Sequence, residues 1–259
     1  MYPVLFRIGI FEITSFGVLV AIATLVGIWL FGRELARRGL PREGVDAAIA
    51  GVFGGFLGAK LLWTVEFLGQ QPVTNLLFGR GGFSWFGGLI GGVGVGLWML
   101  RRRQVPAISA LAAATPALAV GHAIGRVGCF MVGDDYGRPS NLPWAVAFPE
   151  GLPPTDVPVH PTQLYEAIAL AALAWFLIRW RRADVDDAVV LGRYLVLAGS
   201  TRFAIEFISV NARLFGPFTL AQLIMSKARQ RFADGTSADW VGVEGDRRPA
   251  LVTKLIADR

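Results

Sequence analysis

The sequence predicts an all-α protein, a polytopic membrane helix bundle with six clear transmembrane helices and a truncated or altered seventh. Three observations predict it. The chain of 259 residues is 54% hydrophobic and only 17% charged, too apolar and too charge-poor for a soluble domain. Six apolar runs approach the ~20 residues that a helix needs to cross hydrocarbon. The arginines gather in alternate connections between those runs, a pattern that orients helices in a membrane.

The runs are residues 13–31, 45–68, 83–100, 107–125, 161–178 and 188–208. The first follows an unbasic leader, lacks a clear small-residue cleavage site and runs long, so it reads as a retained helix rather than a signal peptide. The second and third carry Gly51, Gly54, Gly55 and Gly58, and Gly87, Gly88, Gly91, Gly92 and Gly96. Such small-xxx-small patterns let helices approach closely, so packing is their first reading. Residues 218–225 read as the opening of a seventh helix, after which the chain turns polar over 226–259, where no stretch could cross a bilayer.

The expected division is a membrane domain over 1–225 and a polar tail over 226–259. A register that stops mid-helix strands the last segment on the wrong face, so the end beyond about Gln222 is read as a frameshift or an atypical terminus. An apolar continuation of about 15 residues in another frame of the coding DNA would support that reading.

The basic clusters are Arg33, Arg37, Arg38 and Arg42; Arg101, Arg102 and Arg103; and Arg179, Arg181 and Arg182. The positive-inside rule makes these loops cytoplasmic and places the N-terminus outside. Connections 69–82 and 126–160 then face outward. In a soluble protein the formal charge of +6 would raise the question of nucleic acid, but its clustering between apolar runs points to the membrane instead, and no nucleic-acid partner is expected. The single cysteine, Cys129, excludes an internal disulfide, and two histidines without a cysteine pair form no zinc constellation. Neither metal nor cofactor is expected.

An ionisable group inside a membrane costs several kcal/mol unless paired or solvated, so each is a functional candidate. Arg202 and Glu206 lie one turn apart in the outer third of the sixth run. Arg126 stands at the outer end of the fourth, and Glu166 lies one to two turns into the fifth. Lys60 stands roughly 12 Å below the outer end of the second run, with Glu66 nearer the surface. These charges share one depth and predict a polar cavity opening outward. The alternative is that Arg202 with Glu206, and Arg126 with Glu166, are structural ion pairs.

The run from Gly125 to Arg138 (GRVGCFMVGDDYGR) resembles the signature segment of the prolipoprotein diacylglyceryl transferase family. It is joined by GFSWFGGLIGG from Gly82, HPTQLYE from His160 and RFAIEF from Arg202, all in the family's order. The resemblance covers roughly residues 10–225. It implies a seven-helix bacterial inner-membrane enzyme with its N-terminus and active site facing the periplasm. It would move the diacylglyceryl group of phosphatidylglycerol onto the lipobox cysteine of a preprolipoprotein, forming a thioether and releasing glycerol phosphate.

For that reaction the leaving group is a phosphate ester, which calls for fixed cations. A guanidinium offers permanently charged, bidentate donors, so Arg126 and Arg202 are the expected catalytic pair. Gly125, Gly128, Gly133 and Gly137 would let the backbone pass close to a headgroup and present N–H groups as an anion nest. The substrate thiol must lose its proton, and Asp134, Glu166 and His160 are candidate bases or base-orienting groups. Glu166 and Asp134 are weighed mainly as supports for the arginines or the headgroup. His160, before Pro161, serves equally as a residue at a helix start.

Cys129, Lys60, Glu206, Phe86 and Phe16 complete the expected substrate-binding set. Several positions depart from the family pattern. Phe86 stands where some members carry His, Cys129 where the signature often shows Asn, and Phe16 where a Tyr is expected. Ala198 replaces a Tyr one turn before Arg202, and Lys60 replaces an Arg. Cys129 reads first as a buried structural thiol.

Two other functions remain open. One is a catalytically impaired member that binds phospholipid without transferring it. The other is a transporter, which would carry polar positions through the whole membrane depth and an inverted repeat. Here the charges stay in the outer half, and the sequence shows no such repeat.

Overall fold

A computed structural model describes residues 4–8, 11–79, 81–180, 185–210, 213–215 and 218–219. Helix α1 (Ser15–Arg37) starts where Thr14 Oγ1 accepts the Gly17 N–H at 3.0 Å, satisfying one of the donors a helix start leaves open. It ends at Gly39, whose φ of +65° is left-handed, and Leu40 N–H bonds back to the Leu35 carbonyl. Helix α2 (Gly44–Glu66) is followed by the short α3 (Val73–Phe78) and by α4 (Trp85–Arg102). Then come α5 (Ala107–Val132), α6 (Thr162–Trp180) and α7 (Asp187–Glu206).

Helix α5 is the axis of the site-bearing half, because α1 lies along one side of it and α6 and α7 along the other. Its sequence carries an interior proline, Pro116, which has no N–H for the Ala112 carbonyl one turn back. The buried Thr115 hydroxyl donates to that carbonyl at 2.9 Å, so the helix continues without an orphaned acceptor. One core joins Leu30, Phe31 and Leu35 of α1 to Leu100 of α4 and the alanines of α5. A second joins Ala112 and Ala123 to Leu170, Leu173 and Leu177 of α6 and Val190 of α7. Leu25, Phe53, Leu57, Ile90, Ile168, Trp175 and Val196 instead point outward, as side chains facing lipid do.

Helices α2 and α4 meet along the predicted glycine seam. A methyl group added at Gly58 would run into the Gly87 carbonyl, and one at Gly91 into the Gly54 carbonyl. Only hydrogen at these positions allows backbones to pack so closely.

The expectation of six clear spans plus a seventh is corrected. Among the described residues, five helices are long and apolar enough to cross a membrane: α1, α2, α5, α6 and α7. The run at 83–100 does form a helix, α4, but its glycines carry little apolar surface and it ends on Arg101 and Arg102. Phe218–Thr219 opens no helix: it is β6, paired antiparallel with β5 (Arg213–Phe215). The remainder of the expected seventh helix, 220–225, and the tail 226–259 lie outside the described residues.

Two further hairpins were not expected. β1 (Val4–Ile8) pairs with β2 (Phe11–Thr14). β3 (Val146–Phe148) pairs with β4 (Thr155–Val159) in the connection from α5 to α6. There Tyr136 stacks on Phe148 at 5.5 Å and donates its hydroxyl to the Pro153 carbonyl at 2.8 Å. Burial raises the Tyr136 pKa above the ordinary tyrosine value, which keeps the hydroxyl a donor.

Gly58→Ala is expected to destabilise the fold by about 1–3 kcal/mol through overpacking of the α2–α4 seam. Gly94→Ala, on the same helix as Gly91 but facing open space, is expected to leave stability unchanged. Thermal unfolding in detergent, followed by Trp fluorescence, distinguishes the two.

Candidate active site

The site is an ion-pair network centred on one carboxylate. Glu166, on the second turn of α6, is 2% exposed, and its Oε2 lies 3.0 Å from Arg126 Nε of α5 and 3.4 Å from Arg202 Nη1 of α7. Its Oε1 lies 3.6 Å from His122 Nε2, also on α5. Two helices, α5 and α7, therefore present their polar groups to the oxygen pair carried by a third. Each guanidinium has a second carboxylate: Arg126 Nη1 lies 3.2 Å from Asp135 Oδ2, and Arg202 Nη2 lies 2.7 Å from Glu206 Oε2 one turn further along α7. Arg126 Nη2 is buried and has no hydrogen-bond partner among the described residues.

Helix α5 runs to Val132, so Arg126 lies well inside it rather than at its outer end. The first half of the signature segment is thus helical. Gly125 and Gly128 sit within that helix, and Gly128 leaves room for Phe16 and Leu19 of α1. Gly133 caps the helix with φ +69°, its N–H bonded to the Phe130 carbonyl, and the Gly137 N–H is bonded to the His160 carbonyl at 2.9 Å. Gly133 and Gly137 thus spend their N–H groups inside the fold, and the helix takes those of Gly125 and Gly128. The N–H groups of the expected backbone nest are thus engaged within the fold.

The start of α6 fixes the loop that follows. Thr162 Oγ1 donates to the Asp135 carbonyl at 2.7 Å, and the buried Gln163 Nε2 donates to the Asp134 carbonyl at 2.7 Å. Asp135 takes φ +59°, a left-handed conformation that Asp tolerates better than most residues. Asp135, next to the expected Asp134, is thereby the acid that reaches Arg126.

His160 is placed against Tyr165. Its Nδ1 is 3.3 Å from the Tyr165 hydroxyl, which accepts from Trp144 Nε1 at 2.7 Å. Lys60 is also bound elsewhere: its Nζ donates to the carbonyls of Gly79 at 2.7 Å and Gly81 at 2.6 Å, under the Phe83 ring. Glu66 accepts from Ser84 Oγ at 3.1 Å. The charges expected at one depth therefore divide into two groups, one around Glu166 and one holding the loop before α4. Phe86 packs edge-on against Trp85 at the start of α4, and Cys129 is half-buried one turn after Arg126. The sequence reading missed His122, Asp135 and Gln163. The signal for His122 was its spacing, four residues before Arg126 on the same helical face.

The family model for prolipoprotein diacylglyceryl transferases matches residues 3–227. The chain belongs to this family.

A phosphatidylglycerol–prolipoprotein diacylglyceryl transferase of Geobacter sulfurreducens is similar at 32% identity, over 86% of this chain and 89% of the relative. One from Clostridium tetani is 30% identical over 82% and 87%, and one from Nitratidesulfovibrio vulgaris 32% identical over 86% and 88%. The protein is a multi-pass membrane transferase of lipoprotein maturation, and neither the transporter nor the impaired-member reading is favoured.

Glu166→Leu would leave two guanidiniums facing each other without their shared counter-ion. Removing one partner of a buried pair costs about 3–5 kcal/mol. The variant is expected to show a loss of that size in a reversible unfolding titration in mixed micelles, whereas Glu12→Gln, whose pair with Arg7 is exposed, should lose almost nothing.

Proposed function

We propose that Arg126 and Arg202 bind the phosphodiester of phosphatidylglycerol and stabilise the charge that develops on it as the diacylglyceryl group leaves for the lipobox cysteine of a preprolipoprotein. The observation that carries this reading is that both guanidiniums meet at one buried carboxylate while Arg126 Nη2 stays buried without a hydrogen-bond partner among the described residues. A donor in that condition is strongly drawn to an anion, since an unmade hydrogen bond to a charged group is costly.

The carboxylates serve the arginines. Glu166, Asp135 and Glu206 hold the guanidinium planes in place before substrate arrives, so little reorganisation is left for the transition state. Transfer forms a carbon–sulfur bond as the carbon–oxygen bond to phosphate breaks, and the electron pair departs on a phosphate oxygen. Positive charge fixed beside that oxygen is stronger in the transition state than in the ground state, which is the condition for faster chemistry.

The active face is proposed to lie on the outer side of the bacterial inner membrane, with the N-terminus. The arginine distribution supports this orientation, since the basic clusters sit at the C-terminal ends of α1, α4 and α6, away from the end that carries Arg202, Glu206 and the hairpin loop.

Arg126→Ala and Arg202→Ala are each expected to lower kcat/KM by about 10²–10³-fold or more, the range for losing one preorganised charge-stabilising donor. The Lys variants should recover only part of the loss, because an ammonium cannot replace the planar fork. Purified protein in phosphatidylglycerol vesicles with a lipobox peptide, read by mass of the thioether product, makes the measurement; full activity in both Ala variants would retire the assignment.

Orientation is tested separately in a Cys129→Ser background. Asn141→Cys, exposed in the loop after α5, is expected to react with an impermeant maleimide on spheroplasts, and Arg102→Cys only after lysis. The reverse pattern would invert the topology.

A further inference from the structure

Resting on the transferase reading above, we propose that the His122 imidazole is the base that takes the proton from the substrate thiol. His122 stands one turn before Arg126 on α5, at the edge of the network rather than inside it. Its side chain is 50% exposed, while those of Arg126 and Glu166 are 7% and 2% exposed. An incoming thiol can therefore reach His122 without displacing an ion pair.

The neighbouring charges fix its role. Glu166 of α6 faces Nε2 at 3.6 Å, slightly long for a hydrogen bond, and such contacts tighten when substrate closes a site. A carboxylate there favours the tautomer with its proton on Nε2, which leaves the Nδ1 lone pair as acceptor. Within the protein no hydrogen-bond partner is found for Nδ1 among the described residues. Arg202 of α7 and Arg126 of the same helix share the Glu166 carboxylate, so the groups facing the imidazole are one anion and two cations.

The other candidate bases are less suited. Both oxygens of Glu166 are already engaged, by two guanidiniums and by the imidazole itself, and Asp135 is committed to Arg126. Asp134 presents its backbone to Gln163, and His160 is placed against Tyr165.

The step balances with the groups named. The thiol gives its proton to His122 Nδ1, and the sulfur electron pair attacks the glycerol carbon that bears phosphate. The carbon–sulfur bond forms as the carbon–oxygen bond breaks. The departing oxygen keeps the bonding pair, and the imidazolium returns the proton to the released phosphate. Neutral His122 is regenerated, with a thioether and glycerol phosphate as products.

The test uses the full-length protein in phosphatidylglycerol vesicles with a lipobox peptide. His122→Gln and His122→Ala are expected to lower kcat/KM by about 10²–10⁴-fold, the range for losing a general base. Their apparent KM for phosphatidylglycerol should stay as in the parent, because the guanidiniums remain. The acid limb of the rate profile should disappear, and the gap from the parent should narrow as pH rises toward the thiol's own pKa of about 8.5. Added imidazole should restore part of the rate to His122→Ala.

A parental rate and profile in both variants overturns the assignment. So does a loss equal at every pH and unmoved by imidazole, which is what a merely structural role would give. If Arg126→Ala is inactive while His122→Gln is fully active, the base falls and the transferase site stands; an inert parent protein removes both.

Discussion

The site depends on a single buried carboxylate. Glu166 on α6 is nearly sealed from solvent, and a charge there is tolerable only because Arg126 and Arg202 reach it from α5 and α7. The constraint acts both ways: the guanidiniums are also inside a membrane-spanning bundle, where unpaired cations are costly. Bringing three helices close enough to share one carboxylate requires small side chains between them. Ala112 and Ala123 of α5, packed among Leu170, Leu173 and Leu177, provide that approach. The loop beyond α5 is tied to the same point, since Thr162 and Gln163 at the start of α6 hold the backbone of Asp135 and Asp134.

The other half of the bundle follows a different logic. Along α2 and α4 there is little polar glue, and glycine allows backbone to meet backbone directly. The loop entering α4 is fixed by Lys60, whose ammonium gathers the carbonyls of Gly79 and Gly81. A lysine in this position satisfies backbone acceptors that would otherwise lie open near the membrane, and its N–H donors are taken up in doing so. Helix α1, packed along α5 and touching α2, joins the two halves. Gly128 marks where Phe16 of α1 comes against the helix that carries Arg126.

Much of this was legible in the sequence because depth in a membrane is legible. Apolar length gave most of the helices, and the ionisable residues gave Arg126, Glu166, Arg202 and Glu206 as companions, which the structure brings together. Depth does not determine lateral position. Lys60 and Glu66 were expected at the same level but belong to another pair of helices, and helix order around a bundle is not encoded in spacing along one segment. Helix ends were harder for a related reason: Gly125 and Gly128 look like loop glycines until their packing against α1 is known, so α5 was ended too early at residue 125. The choice between Asp134 and Asp135 turned on a single left-handed residue. His122 was legible and missed, because it was counted only in asking about a zinc site and not weighed by its spacing from Arg126.

Charge counting explains why the network is more than a trap for anions. Arg126 and Arg202 supply two positive charges against the three negative charges of Asp135, Glu166 and Glu206, so with a neutral imidazole the formal sum is 2 − 3 = −1. A phosphodiester therefore cannot be held by net attraction alone; it must use a donor that the carboxylates have not taken, and Arg126 Nη2 meets that condition. A proton on His122 brings the sum to zero. Negative charge is then added to the departing phosphate at the moment when the nearby network has gained a positive one, and the low dielectric of a closed site makes that coincidence worth more than it would be in water. On this account the imidazole and the guanidiniums are parts of one electrostatic unit, with Glu166 facing the imidazole through one oxygen and the arginines through the other.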